Sequence, residues 1–358
     1  MYQSDVSPLR RVLMRHAGDA FISSSRIAEQ WKNLNYVDAP DYELACQESD
    51  ALAAQLESLG VTVEWAQGGD FGLDSIYMRD ASVLSNAGAI LCRMGKESRA
   101  LEPEAHADEY PALGIHIAGL IEAPGTLEGG DVVWLDSETL AIGISRRTNA
   151  SGVLQFQEFL SDGVEILEVP LPDWQGPGDV FHLMSVVSPL AEDLVLVYSP
   201  LLPMSFRREL LDRGYQLIEV PDGEYEPSMG CNVLAVAPRV VLAVEGNRKT
   251  QRCLEGVGVE VHTYRGIEIS RKGCGGPTCL TRTLEREIDR GVGISCVTLV
   301  NVCAFLAPQP RLVLCGYHRG GRYLAHGPGS PGPPRGERSR ARPGSHQLRN
   351  QGPLTTES

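Results

Sequence analysis

Short apolar runs alternate with amphipathic segments along most of this chain. Runs typical of strands occupy residues 61–65, 89–92, 132–135, 140–143, 164–169, 194–198, 233–237, 240–244 and 259–264. The clearest helix covers residues 46–59, because Leu52, Leu56 and Leu59 share one face and Gly60 supplies a typical C-terminal stop. The alternation predicts an α/β fold.

The same order of helix, glycine and strand recurs further along the chain. Residues 206–211 precede Gly214 and a strand at 215–220, and residues 249–255 precede a strand at 259–264 in the same way. Such repetition predicts stacked modules of similar structure. No glycine-rich phosphate loop follows a predicted strand, so the sequence indicates no nucleotide and we expect no cofactor.

Composition and charge restrict the partners of the protein. The 358 residues, 42% of them hydrophobic, can bury a sizeable core. A formal net charge of -14 disfavours nucleic acids and anionic membranes as partners and favours small cationic ligands. Residues 1–15 show no signal peptide and the nine cysteines show no disulfide spacing, so we expect a cytoplasmic protein with free thiols.

The C-terminal part of the chain has a different composition. Residues 317–358 contain seven arginines, two glutamates and many glycines and prolines, and we predict that they are disordered; an RNA-binding tail is the alternative. The uncharged residues 291–307 are barely long enough to span a bilayer, and their glycines and polar residues argue against a membrane anchor. We therefore predict a catalytic domain over residues 1–289 and a largely disordered extension over residues 290–358.

Cys279 is the leading candidate for a nucleophile. It follows Gly275, Gly276 and Pro277, which predict a tight turn with little bulk around an accessible thiol. An inert, buried thiol is the ordinary alternative for each cysteine. Cys274 is close in sequence, but no second pair of ligands stands at zinc-finger spacing, so the sequence predicts no metal site.

Five further polar residues are out of keeping with their apolar surroundings. His182 lies in an apolar stretch, where a structural histidine is commoner than a catalytic base. Glu128 and Asp131 flank a glycine pair before a strand, where the alternative is a simple turn. Asp74 and Asp80 share one face of an extended segment, because their separation is even, and that face could bind a cation.

Taken together, these segments resemble the guanidino-group-modifying superfamily, or penteins, which includes dimethylarginine dimethylaminohydrolase, arginine deiminase and glycine amidinotransferase. The resemblance covers residues 7–288 and is carried by segments 73–80, 95–99, 124–131, 142–149, 181–183 and 275–279. It implies a five-bladed α/β propeller of repeated ββαβ modules with an active site in the central channel. Among the superfamily members, dimethylarginine dimethylaminohydrolase is the most similar in its motifs.

The resemblance also implies catalytic roles. Cys279 would attack the guanidinium carbon, and His182 would protonate the departing amine and then activate water. Glu128 would orient the imidazole. Asp80 would accept the guanidinium N–H groups and keep the substrate cationic.

Three more residues are implied as ligands of the amino-acid end of the substrate. Asp74 would receive the α-ammonium group, whereas Arg99 and Arg147 would bind the α-carboxylate, whose geometry matches a guanidinium fork. These roles require a small cationic amino acid as the partner.

Two positions point to different branches of the superfamily. Met184 stands where arginine deiminase and amidinotransferase carry a second guanidinium-binding aspartate, and an apolar neighbour suits a methylated nitrogen. Arg79, in contrast, resembles the deiminase and transferase pattern, since the dimethylarginine enzymes usually have an acidic residue there.

The sequence therefore predicts a cysteine-dependent amidine hydrolase. It would convert Nω-methylated arginine, dimethylarginine above all, to citrulline and methylamine or dimethylamine through a covalent thiouronium intermediate. The alternatives are an arginine deiminase, an amidinotransferase and a non-catalytic propeller that binds an amino acid or a protein. The oligomeric state is open, with a homodimer among the alternatives.

Overall fold

The computed structural model describes residues 4–174, 176, 181–226 and 228–287. In this part of the chain, fifteen strands form five separate three-stranded sheets. The strands are β1 Leu9–Met14, β2 Thr62–Trp65, β3 Ser82–Ser85, β4 Gly88–Leu91, β5 Ile117–Leu120, β6 Val132–Trp134, β7 Thr139–Ile144, β8 Glu165–Pro170, β9 Val187–Ala191, β10 Leu194–Val197, β11 Gln216–Glu219, β12 Val233–Ala237, β13 Val240–Val244, β14 Glu260–Tyr264 and β15 Arg282–Arg286. The α-helices are α1 Ala17–Phe21, α2 Ser24–Gln30, α3 Tyr42–Ser58, α4 Glu102–Glu109, α5 Ala150–Glu158, α6 Met204–Asp212, α7 Arg248–Glu255 and α8 Pro277–Leu280.

Four of the sheets come from consecutive ββαβ modules. In β3-β4-β5, β6-β7-β8, β9-β10-β11 and β12-β13-β14, the first strand is antiparallel to the second and the second is parallel to the third. A helix, α4, α5, α6 or α7, connects the two parallel strands, as a parallel connection requires. This repetition confirms the predicted α/β class and the modules that the resemblance implied.

The fifth module is assembled from the two ends of the described chain. Strand β15 pairs antiparallel with β1, so that Leu9 lies opposite Arg286 and Val12 opposite Thr283. Strand β1 then pairs parallel with β2, and α1, α2 and α3 lie between them in sequence. The pairing of β1 with β15 closes the ring of modules.

Hydrogen bonds join the first strands of the five sheets, or the residues just before them, in a closed ring. The contacts in order around the ring are Arg79 to the Val132 carbonyl, Leu183 N–H to Asp131, Val233 N–H to Ser188, Arg286 to the Ala235 carbonyl and Arg282 to the Ser82 carbonyl. Polar and charged side chains therefore link the inner edges of the sheets. Among the residues described below, Asp80, Glu128, His182, Asn232 and Cys279 lie shortly before these inner strands.

The core lies between the sheets and the helices that cover them. On α3, Leu52 and Leu56 are buried against strand and helix residues of the β15-β1-β2 module. Asp41 caps the start of α3 by accepting the Leu44 N–H, and Gly60 follows the helix with a φ of 82°. The predicted stop of this helix is confirmed, although the helix begins four residues earlier than predicted.

The sequence pattern failed to predict five strands, namely β1, β3, β5, β9 and β15, and five helices, namely α1, α2, α4, α5 and α8. Three of the missed strands, β3, β9 and β15, are first strands of their sheets. Serines, a threonine and arginines of these strands are buried where the inner edges of the sheets meet. Their sequences therefore lack the apolar run that predicts a buried strand.

The C-terminal predictions lie outside the described residues. These are the boundary near residue 289, the disordered extension over 290–358 and the uncharged segment 291–307. Within the described ranges, no helix is both long and apolar enough to cross a bilayer.

The packing of α3 gives a test of the core. Leu52 is fully buried, whereas Leu154 on α5 is 63% exposed. We expect Leu52→Ala to lower the free energy of unfolding by about 2–5 kcal/mol, because it leaves a cavity, and Leu154→Ala to change it by less than about 0.5 kcal/mol. Urea denaturation followed by circular dichroism measures both; equal effects would contradict the described core.

Candidate active site

Cys279 lies in the short helix α8, half-buried at the wall of a cleft. The glycine turn before it packs too closely for larger residues. A Cβ at Gly275 would lie 2.2 Å from the Tyr77 ring, and one at Gly276 would lie 2.4 Å from Oδ1 of Asn232. The sequence-based expectation of a tight, low-bulk turn before the thiol is therefore confirmed.

Asn232 is a neighbour of the thiol that the sequence analysis missed. Its Nδ2 lies 3.2 Å from Sγ of Cys279 and donates to it, while its Oδ1 accepts hydrogen bonds from the N–H and hydroxyl of Thr278. Asn232 immediately precedes the apolar strand β12, and this position was its only sequence signal. The amide fixes α8 and supplies a donor to the sulfur.

His182 and Glu128 form a buried pair, and His182 lines the same cleft as Cys279. Nε2 of His182 lies 2.8 Å from Oε2 of Glu128, and both side chains are at most 5% exposed. The other carboxylate oxygen of Glu128 accepts the backbone N–H groups of Gly95 and Lys96. Nε2 is thus committed to Glu128, whereas Nδ1 lies on the side of Asp80.

Asp131 positions the segment that carries His182. Its Oδ1 accepts the N–H of Leu183 at 2.9 Å, and its Oδ2 accepts the hydroxyl of Ser145 at 2.9 Å. Burial raises the pKa of Asp131 to about 6, against hydrogen bonds and the charge of His182, which lower it. Asp131 therefore supports the imidazole from behind and does not line the cleft.

The carboxylates around His182 favour its cationic form. Burial alone would lower the pKa of His182, but the negative charges of Asp80, Asp131 and Glu128 outweigh burial and raise it to about 9. Burial would likewise raise the pKa of Glu128, yet the hydrogen bond and charge of His182, followed by the charge of Arg147, lower it to about 2. At neutral pH the pair is imidazolium and carboxylate.

Asp80 has one oxygen paired with Arg99 and one oxygen that accepts no hydrogen bond from the described residues. Its Oδ2 lies 2.6 Å from Nη1 of Arg99. Its Oδ1 is buried, lies 3.8 Å from Nδ1 of His182 and has no hydrogen-bond partner among the described residues. A buried carboxylate oxygen with unused acceptor capacity is suited to an N–H donor from a ligand.

The thiol of Cys279 is protonated in the absence of a ligand. Burial, and then the negative charge of Asp80, raise the pKa of Cys279 to about 11, although the hydrogen bond from Asn232 lowers it. A nucleophilic thiolate therefore requires additional positive charge in the cleft.

Arg99 is held by more acidic groups than the sequence indicated. Its Nε and Nη2 lie 2.8 and 2.7 Å from the two carboxylate oxygens of Glu102, and Nη2 also donates to the Tyr77 carbonyl. Together with the Asp80 contact, four of its five N–H donors are in use. Glu102, which the sequence analysis missed, is the residue that fixes this guanidinium.

Asp74 and Arg147 lie apart from the cleft. Asp74 pairs with Nζ of Lys96 at 2.6 Å and, with Arg99 and Glu102, lines a second pocket of about 310 Å³. Arg147 approaches Oε2 of Glu128 at 3.4 Å and is buried. Of the seven predicted site residues, the structure therefore places Cys279, His182 and Asp80 around one cleft, with the other four behind or beside it.

Two residues that bear on substrate choice have distinct positions. Met184 lines the cleft that contains Cys279. The guanidinium of Arg79 is turned towards Asp5, 3.1 Å away, and towards the carbonyls of Gly129 and Val132.

Asp80, Glu128 and His182 are also the one group in the described residues whose ligand atoms lie close enough to hold a metal ion, within 4.8 Å of one another. Two of the three are already joined by the 2.8 Å hydrogen bond between His182 and Glu128. This bond and the ion pair of Asp80 with Arg99 explain why the three residues meet.

Comparisons with known proteins agree with this geometry. Residues 24–283 match the family described as N,N dimethylarginine dimethylhydrolase, eukaryotic. The N(G),N(G)-dimethylarginine dimethylaminohydrolase of Streptomyces coelicolor is 28% identical over 290 residues, which are 79% of this chain and the whole of that protein. The arginine deiminase of Listeria welshimeri is 25% identical over 253 residues, 59% of this chain and 61% of the relative.

A solved structure shows the same fold. It is a mutant of the dimethylarginine dimethylaminohydrolase of Pseudomonas aeruginosa in complex with citrulline, with a TM-score of 0.62 and 23% identity over 76% of this chain and 98% of that one. Five ββαβ modules around a cysteine, a histidine and buried carboxylates define the class of guanidino-group-modifying enzymes, the penteins. Within this class, the chain belongs to the dimethylarginine dimethylhydrolase family, whose members are hydrolases of amidine C–N bonds.

The effect of the Asp80 charge on the pKa of Cys279 gives a test of the site. We expect Asp80→Asn to lower the pKa of Cys279 below about 11, because the substitution removes a negative charge that disfavours the thiolate. The pH dependence of the rate of alkylation by iodoacetamide measures this pKa. Asp74→Asn is the control, since Asp74 pairs with Lys96; an unchanged or higher pKa in Asp80→Asn would contradict the electrostatics described.

Proposed function

We propose that the protein hydrolyses Nω-methylated arginine, dimethylarginine above all, to citrulline and methylamine or dimethylamine. The observation that carries the proposal is the meeting of Cys279, His182 and Asp80 around one cleft, where Oδ1 of Asp80 accepts no hydrogen bond from the described residues. A nucleophile, a cationic acid and an anion for the guanidinium group are the three elements that this hydrolysis needs.

Asp80 would receive the guanidinium group. Its Oδ1 is buried and accepts no hydrogen bond in the described part of the chain, which costs free energy. An N–H group of the substrate would supply the missing hydrogen bond. A charge-assisted hydrogen bond to this oxygen would also orient the planar carbon towards Sγ of Cys279.

The charge of the substrate would activate the nucleophile. The pKa of Cys279 is raised by burial and by Asp80, so a cation bound to Asp80 removes part of the electrostatic cause and favours the thiolate. The protonated His182 cannot take the thiol proton, which therefore leaves to solvent as the cationic substrate binds.

The reaction then has two covalent steps. The Cys279 thiolate forms a C–S bond with the guanidinium carbon, and the tetrahedral adduct expels the methylated amine as Nδ1 of His182 donates a proton to it. Water then attacks the thiouronium carbon while neutral His182 takes one of its protons. The C–S bond breaks as the remaining hydroxyl proton passes to the sulfur, which releases citrulline and restores the Cys279 thiol. Glu128 keeps the imidazole oriented and stabilises its cation in both steps.

Met184 supports a methylated substrate over unmodified arginine. It lines the cleft, and a thioether accommodates methyl groups without leaving a buried polar group unpaired. Arg79, whose guanidinium contacts Asp5 and two carbonyls, gives no support to a deiminase.

The amino-acid end of the substrate would extend towards the 310 Å³ pocket. Asp74 lines this pocket and would accept hydrogen bonds from the α-ammonium group, which would weaken its ion pair with Lys96. Arg99 has one unused donor for the α-carboxylate, and Arg147 would have to turn from Glu128 to add a second. The roles of these three residues stay predictions, as do a cytoplasmic location and a homodimer.

Arginine deiminase is the second candidate, favoured by the similarity to the Listeria welshimeri enzyme. An amidinotransferase would use an amine such as glycine where the hydrolase uses water. A non-catalytic binding protein would retain the cleft without using its thiol.

Product analysis distinguishes these functions. We expect the purified protein to release dimethylamine and citrulline from asymmetric dimethylarginine faster than ammonia from arginine, and to leave agmatine, which lacks a carboxylate, unchanged. Ammonia from arginine as the faster product would indicate a deiminase, and dependence on added glycine would indicate a transferase.

Two variants test the nucleophile in the same assay. We expect Cys279→Ser to reduce citrulline formation at least about a thousandfold, while dimethylarginine binding persists. Cys253→Ser, at an exposed cysteine on α7, is the matched control and should keep full activity. Binding by the wild-type protein without turnover of any of these compounds would contradict an enzymatic function.

A further inference from the structure

A further polar cavity lies among the inner strands, distinct from the Cys279 cleft and from the 310 Å³ pocket. Its volume is about 20 Å³, and its walls come from β3, β6, β15 and the N-terminal residues Ser4 and Asp5. Arg79 is the one residue that it shares with the lining of the Cys279 cleft. A space of this size holds one water-sized species.

The walls of this cavity carry an excess of positive charge. Arg79, Arg282 and Arg286 all line it and are at most 4% exposed. Asp5 is the only buried carboxylate among the described lining residues, and it pairs with Arg79 at 3.1 Å. The carboxylate of Glu285, also on the wall, belongs to an exposed residue, so the buried groups carry three positive charges and one negative charge.

The other partners of these arginines are neutral. Arg282 donates to the carbonyls of Arg79 and Ser82, and Arg286 donates to carbonyls that include that of Ala235. Carbonyl dipoles satisfy N–H groups but leave the net charge unchanged. Burial, assisted by the positive charge of Arg79, lowers the pKa of both Arg282 and Arg286 to about 10, so both remain ionised at neutral pH.

Two residues that line the cavity each have a buried polar atom without a hydrogen-bond partner in the described part of the chain. Nε of Arg286 and the hydroxyl of Thr283 are shielded from solvent and have no hydrogen-bond partner among the described residues. Both residues are more than nine-tenths buried, and both line the cavity. Each can donate a hydrogen bond, and buried donors normally have an acceptor, so we expect one beside them.

We propose that this cavity is a binding site for a single monatomic anion of the halide class, chloride under ordinary conditions. A halide accepts hydrogen bonds from any direction and fits a space of about 20 Å³. A water molecule would fit but would leave the buried charge excess uncompensated. The small volume favours a monatomic anion over phosphate or sulfate, and a metal cation would be repelled by the three guanidinium groups. The ion would stabilise the junction of three modules.

The stability of the full-length protein provides the first test. Melting temperatures are measured in sodium gluconate and in increasing sodium chloride at constant ionic strength, because gluconate is too large to enter. We expect a saturable rise of about 3 °C or more, since an ion that binds the folded state stabilises it by mass action. Equal melting temperatures in the two salts would contradict the proposal.

Location is tested by bromide. Crystals of the wild-type protein grown or soaked in sodium bromide should give an anomalous peak in the cavity, within hydrogen-bonding distance of Thr283 and Arg286. A cavity that contains only a water molecule, with no anomalous signal, would overturn the proposal even if chloride changes the stability.

A matched pair of variants tests the ligand set. Thr283→Val removes one donor with little change of volume. It should raise roughly fivefold the chloride concentration at which half of the rise in melting temperature is reached. Thr139→Val, at a buried threonine on β7 outside the cavity, should keep the wild-type dependence. If Thr283→Val fails to fold, the bromide experiment on the wild-type protein still decides the question.

Discussion

The ion pair between Asp80 and Arg99, 2.6 Å long and almost fully buried, holds the carboxylate whose other oxygen faces His182. Glu102 contacts the same guanidinium with both of its oxygens, so Arg99 is held in place and keeps Asp80 fixed. Burial and then the negative charge of Asp80 raise the pKa of Cys279, and Asp80, with Asp131 and Glu128, raises the pKa of His182 against burial. Asp80 thus contributes to the resting protonation of both residues and places negative charge beside the cleft.

The ring of inner strands explains why so many charged groups are buried near this site. Each first strand has an unpaired edge, and its backbone groups need partners that a neighbouring sheet does not supply. Arginines at the ends of these strands reach the carbonyls, as Arg79 and Arg282 do, and Asp131 accepts an N–H across the junction that carries His182. The contacts that close the fold therefore also bring Cys279, His182 and Asp80 to one cleft.

The hydrophobic pattern predicted the α/β class, the repeated modules and most of the second and third strands, because those strands pack apolar faces against helices. It missed β3, β9 and β15, whose buried polar residues form hydrogen bonds at the inner edges of the sheets. Family motifs led to Cys279, His182 and Asp80, but no local pattern pointed to Asn232 or Glu102. Their roles arise from contacts across the fold, such as the 3.2 Å approach of Asn232 to the thiol, which sequence separation conceals.

The central claim is that Asp80 makes the cleft a receptor for a cationic guanidinium group. Calorimetric titration of the Cys279→Ser protein with dimethylarginine and with neutral citrulline, with and without Asp80→Asn, tests it most directly. The account predicts that the cation binds roughly 10- to 100-fold more tightly than citrulline and that Asp80→Asn abolishes this preference. Equal affinities for the two ligands, or a preference that survives Asp80→Asn, would contradict it.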